Sequence, residues 1–166
     1  MRHMGVWGSL TGVWPVSSIF LAFFLLAGCS DEPDISPQEQ VNLLLDHAEE
    51  VVEARDLEAA AELISSRYQD KSGRNRQQLR RLLAGYFLRH RSIHILKKTE
   101  QISLLNETNA QVVLYAGLAG PKALATDSFS QWSGDLIRLE VDLAFEDDGE
   151  WRLIRAEWHR ASRGDF

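Results

Sequence analysis

Ile137-Arg138-Leu139-Glu140-Val141-Asp142-Leu143-Ala144-Phe145 puts a large apolar side chain at every second position, with Arg138, Glu140, Asp142 and Ala144 between them. Period two marks a strand, and the charges on alternate positions give it one dry and one wet face, as in an antiparallel sheet covered on one side. Asp147-Asp148-Gly149 supplies hairpin turn chemistry. Trp151 to Arg160 then returns as the partner strand. Trp151 and Leu153 fall on one face of it, and Ile154, Ala156 and Trp158 on the other. That switch predicts a bulge or a strand covered on both sides.

Upstream, Ala110 to Leu118 reads as another strand, with Val112 and Leu114 on one side and Val113 and Tyr115 on the other. Gly120-Pro121 ends it, and a long connection holding Phe129 and Trp132 leads on to Gly134. Asn106-Glu107-Thr108-Asn109 is turn chemistry. Before it, Ile93 and Ile95 alternate with His94 in a strand that continues through Ile102 and Leu104. Further upstream the period becomes helical. Leu79, Leu82, Leu83, Tyr86 and Phe87 form one stripe, capped by Asn75 and ending near Arg89 to Arg91. Asp56 caps a short helix from Leu57 to Ile64. Ser36-Pro37-Gln38-Glu39 combines an N-cap, a proline at the first helical position and a capping box. The helix it opens carries Val41, Leu44, Leu45, Ala48, Val51 and Val52 and runs to Glu53. Helices first and strands after them predict an α+β domain: three N-terminal helices packed on a curved antiparallel sheet of about four strands.

Several segments carry a family likeness: Asp56-Leu57-Glu58, Leu63-Ile64-Ser65 with Tyr68-x-Asp70, Leu79 to Phe87, and Gly149-Glu150-Trp151-Arg152-Leu153-Ile154. Together they resemble the nuclear transport factor 2-like superfamily. Its cone-shaped, cystatin-like fold is shared with ketosteroid isomerases and polyketide cyclases. The resemblance implies a pocket between the helices and the concave face of the sheet. The candidate pocket residues are Tyr68, Asp70, His94, Tyr115, Trp132, Asp142 and Trp158, with His159 as a further polar neighbour.

Each candidate has a plainer reading. If the wet face of the Ile137 strand lined the pocket, Asp142 would join Arg138 and Glu140 in a site; facing solvent, the three are cross-strand charges. His94 points away from Ile93 and Ile95, as a surface histidine does. Tyr68 and Asp70 can serve only to shape the entry to the next helix. Trp132 and Trp158 fit core or mouth packing as well as a ligand. His90, His94 and His159 lack the close spacing of a local zinc motif. Neither metal nor cofactor is expected, and the chain has no Gly-rich phosphate loop, Ser-His-Asp arrangement or HExxH.

The N-terminus carries its own signal. Arg2 is the one formal charge in residues 1–30, and Ile19 to Leu26 is strongly apolar. The run Leu26-Ala27-Gly28-Cys29, holding the only cysteine, resembles the lipobox of bacterial lipoproteins. That resemblance implies cleavage after Gly28 and lipidation of Cys29. Ser30, in place of aspartate, implies sorting to the outer membrane with the domain facing the periplasm. The alternative is an uncleaved membrane-spanning helix, although Gly8, Ser9, Thr11, Gly12, Pro15, Ser17 and Ser18 dilute its first half. The expected organisation is a signal peptide over 1–28, a lipidated tether over 29–35, the domain over 36–161 and a tail over 162–166.

The net charge of −6 argues against a nucleic-acid partner. The acidic first helix and the basic middle segment read as solvated faces that meet each other, in preference to a basic surface for an anionic partner such as lipid head groups or a cell-wall polymer. The expected function is a non-enzymatic envelope lipoprotein whose domain binds a small apolar ligand or an envelope protein. The alternatives are an isomerase- or cyclase-like enzyme and a homodimer formed through the open sheet face.

Overall fold

The computed structural model describes residues 35–119, 135–162 and 165. Cys29, Ser30, the tether up to Asp34 and Trp132 lie outside them. Three helices, α1 (Pro37–Glu53), α2 (Leu57–Glu62) and α3 (Arg76–Arg89), precede four strands, β1 (His94–Asn106), β2 (Asn109–Ala119), β3 (Asp135–Phe145) and β4 (Trp151–Arg160). The strands pair antiparallel in the order β1-β2-β3-β4.

Each helix begins where its capping residue predicts. The Ser36 hydroxyl accepts from Glu39 N–H at 3.2 Å, and Asp56 accepts from Glu58 and Ala59 N–H. The reciprocal capping box forms at Asn75 and Gln78, whereas Ser36 makes the serine half alone. Helix α2 stops at Glu62, short of Ile64. There the chain leaves the helix to lie along the free edge of β4: Ser65 N–H donates to Leu153 C=O, Leu153 N–H to Leu63 C=O, and Gln69 N–H to Ile154 C=O. This covers an edge that would otherwise expose unpaired backbone groups.

The predicted bulge in β4 sits at Ile154. Asp142 pairs with Arg155 and Leu143 with Leu153, so Ile154 is the extra residue. It resets the alternation. Ala156 and Trp158 consequently face the same way as Leu153, toward the helices. Two further irregularities lie in β1, between Thr99 and Gln101 and between Leu104 and Asn106.

The core joins α1 to the middle of the sheet. Val41 and Val112 are fully buried, with Leu45, Tyr68, Leu143 and Trp151 around them. Trp151 Nε1 donates to Gln40 Oε1 at 3.0 Å, which fixes the start of α1 over the β3–β4 hairpin. At the other end, Arg55 has a left-handed φ of 59° and donates to Phe87 C=O at 2.9 Å and Arg91 C=O at 3.2 Å. These bonds satisfy carbonyls at the C-terminus of α3 and tie the α1–α2 turn to it.

Candidate functional site

Between the helices and the concave sheet face lies a cavity of about 550 Å³. Its walls follow from the two periodicities. Leu114, Ala116 and Leu118 come from β2, and Ile137, Leu139, Val141 and Leu143 from β3. From the helical side, Leu44, Ala48 and Val52 of α1 meet Leu79, Leu82, Leu83 and Tyr86 of α3. The stripe on α3 is not fully buried. Leu79 and Phe87 are, but Leu82 is 46 % exposed because it borders the cavity. Trp158 on β4, 41 % exposed, borders it too.

Charge is confined to a few lining residues. Arg74, Arg89 and Lys97 are the bases, and among the described residues Glu49 is the one carboxylate of the lining, which contains no histidine. Lys97 Nζ lies 2.5 Å from Asp46 Oδ1 and 3.2 Å from Glu49 Oε2, so it closes the seam between α1 and β1. Burial, reinforced by Asp135, raises the Tyr86 phenol above its ordinary range, so it stays protonated at neutral pH.

Tyr68 and Asp70 stand behind one wall. The Asp70 carboxylate accepts from Ser72 N–H at 2.8 Å, Arg74 N–H at 3.0 Å and Arg74 Nε at 2.6 Å. Burial would raise its pKa, but the Arg74 and Ser72 bonds outweigh that and hold it below the ordinary value. Asp70 therefore shapes the turn into α3 and fixes Arg74, whose guanidinium stacks over Trp158 at 4.7 Å from the ring centroid. Tyr68 is 2 % exposed, and its hydroxyl is buried without a hydrogen bond of good geometry. Desolvation, with the neighbouring Asp70 charge, pushes its pKa up to about 12.

Three other pocket candidates belong elsewhere. Asp142 lies on the outer sheet face, where it accepts from Gln111 Nε2 at 3.1 Å and pairs with Arg155 at 2.7 Å, its register neighbours on either side. Alternation with Val141 and Leu143 forces it outward. Arg138 and Glu140 pair with each other on the same face. Tyr115, one residue from Leu114 and Ala116, is turned outward by the same rule and stands between Lys98 and Arg138 in the register. His94 is exposed at the start of β1, with Nε2 3.2 Å from Ser92 Oγ. Of the aromatic candidates, Trp158 lines the cavity. His159, next to it, points the other way, toward the Arg138 position.

Sequence reading missed Arg74, Arg89 and Lys97 as lining residues, while Tyr86 was read on the apolar stripe of α3. Two of them carried a signal. Lys97 shares the parity of Ile95 in β1, and Arg89 continues the Leu82–Tyr86 stripe at helical spacing.

No family model matches the chain, and no curated protein matches it. Solved structures do. The protein Bd1075 of Bdellovibrio bacteriovorus is 13 % identical with a TM-score of 0.59, over 75 % of this chain and 41 % of that one, so the chain spans well under half of that protein. A domain of unknown function with a cystatin-like fold from Nostoc punctiforme is 14 % identical with a TM-score of 0.57, over 75 % and 77 % of the two chains. A proposed dehydratase of the nuclear transport factor 2-like family from Streptomyces avermitilis is 16 % identical with a TM-score of 0.60, over 75 % and 95 %. The fold is therefore that of the nuclear transport factor 2-like, cystatin-like proteins. At these identities the likeness extends to the fold alone.

Proposed function

We propose that this domain is a non-enzymatic binding module of the bacterial cell envelope, holding a small apolar ligand in the cone cavity and tethered to the membrane through Cys29. The cavity carries the reading. Its volume falls within the range of about 300–1,000 Å³ usual for small-molecule sites, and its walls are aliphatic and aromatic. An isomerase of this fold requires a carboxylate or histidine base inside the apolar volume. Here Glu49 is engaged by Lys97 at a seam, Asp70 by Arg74, and Asp142 by Arg155 on the outer face.

The anchor rests on Leu26-Ala27-Gly28-Cys29 closing an apolar leader, and the outer membrane on Ser30. Two acyl chains on the cysteine would make attachment effectively permanent. The test is native mass spectrometry of the full chain, purified from its own membranes. A lipidated Cys29 N-terminus and a co-purifying apolar small molecule are expected. An unlipidated chain would remove the anchor, and a chain that never carries a ligand would remove the binding role.

A further inference from the structure

We propose that the cavity takes a single-chain amphiphile with an anionic head, its chain along the aliphatic walls and its head on Arg89. The inference rests on the cavity being a binding site and names the class of its ligand. Three bases and one acid take part in the lining, but their charges are not equally available. Arg74 is committed to Asp70 and stacked on Trp158. Lys97 is held between Asp46 and Glu49. Arg89 has no hydrogen-bond or ion-pair partner among the described residues.

The position of Arg89 suits the role. Leu82, Tyr86 and Arg89 lie at i, i+4 and i+7 on the cavity side of α3, so the wall passes from aliphatic to aromatic to cationic along one stripe. The guanidinium folds back over Gly85, where a Cβ would stand 3.8 Å from Nη1. It thus lies along the helix as one border of the apolar volume. A guanidinium there offers a planar fork of donors that a carboxylate or a phosphate satisfies in pairs, and that a neutral head does not.

The volume limits the tail. A cavity of about 550 Å³ lies in the small-molecule range of about 300–1,000 Å³, which suits a lipid with one chain better than one with two.

The test uses the full-length chain in lipid nanodiscs, labelled with a diazirine-bearing long-chain fatty acid or the matched alcohol. Unlabelled oleate, oleyl alcohol and lysophosphatidylglycerol compete. Oleate is expected to halve labelling at about one-tenth the concentration of oleyl alcohol, the effect of one charge-assisted hydrogen bond near solvent. Arg89→Gln should bring that ratio to about one, while Arg81→Gln, exposed and outside the lining, keeps it. If lysophosphatidylglycerol outcompetes oleate the head is a phosphate; if it lags, a carboxylate; both outcomes sustain the class. Equal competition by oleate and oleyl alcohol, or a preference that survives Arg89→Gln, overturns the anionic head but leaves the apolar site standing. Absence of label from cavity-lining peptides with either probe overturns the site itself.

Discussion

Tyr68→Phe separates a buried structural tyrosine from a working one. Tyr68 is 2 % exposed, and its hydroxyl is approached by the Asp70 carboxylate and the Ala156 backbone without completing a hydrogen bond. A buried polar group left unsatisfied costs about 1–3 kcal/mol. Phenylalanine keeps the ring and its packing, so the variant is expected to match the native chain at pH 7 or exceed it by about 1 kcal/mol. The alkaline limb enlarges the difference. The folded pKa is raised to about 12 from an ordinary 10.0. The folded state therefore keeps a proton that the unfolded state releases. Stability is full below pH 10 and is lost as pH rises through the folded value. Two units correspond to roughly 3 kcal/mol once the phenol is ionised in both states and to roughly 2 at pH 12, where the folded phenol is half ionised, so at pH 12 the variant should lead by roughly 2–3 kcal/mol. Urea unfolding at pH 7 and from pH 9 to pH 12, with unchanged m-values, measures both differences. A loss above about 1 kcal/mol at pH 7 would show that the hydroxyl has a partner. Alkaline limbs that run parallel would refute the burial argument.

Further predictions concern the supports of the cavity. Asp70 titrates below its ordinary 3.8 in the folded chain, so its contribution is present above that range and lost as pH falls through the folded value. Asp70→Asn should therefore lower the melting temperature at pH 7, with the gap closing below about pH 4 in a pH series of thermal melts. Gln40→Ala leaves the Trp151 indole N–H without its 3.0 Å acceptor, and urea titration should read a loss of about 1–2 kcal/mol. Asn75→Ala removes the side-chain half of the capping box on α3, keeps the backbone N–H of residue 75 that donates to Gln78, and should cost about 0.5–2 kcal/mol by the same measurement.

The helices and strands were legible because each carries its own period and its own stop signal. The α3 cap at Asn75, the start of β4 at Trp151 and the bulge all follow from side-chain order. The faces were harder. A parity count puts Trp158 opposite Leu153, and only the extra residue at Ile154 brings both to the cavity. The sequence offers a bulge or a strand covered on both sides and does not say which residue is extra, and every assignment after it depends on that. Polar residues misled for a related reason. Asp142 and Tyr115 suggest chemistry by type, yet their position beside Val141 and Leu114 turns them outward. Arg74 acts through Asp70 and Trp158, which lie on different elements, so no local pattern could reveal it. The departure of α2 at Leu63 answers to the β4 edge, a partner ninety residues away in sequence (Leu63 with Leu153).

The central claim is that the domain holds a small ligand in the apolar cavity between its helices and its sheet. Ala116 lines that cavity from β2 and is 6 % exposed. Ala116→Phe directs a ring into the volume on a strand that favours aromatic residues. Native mass spectrometry of the full chain, native and variant purified in parallel, decides the matter. The account predicts a bound small molecule on the native chain and its loss from a variant that melts no lower. A variant that keeps the same ligand in full would contradict it.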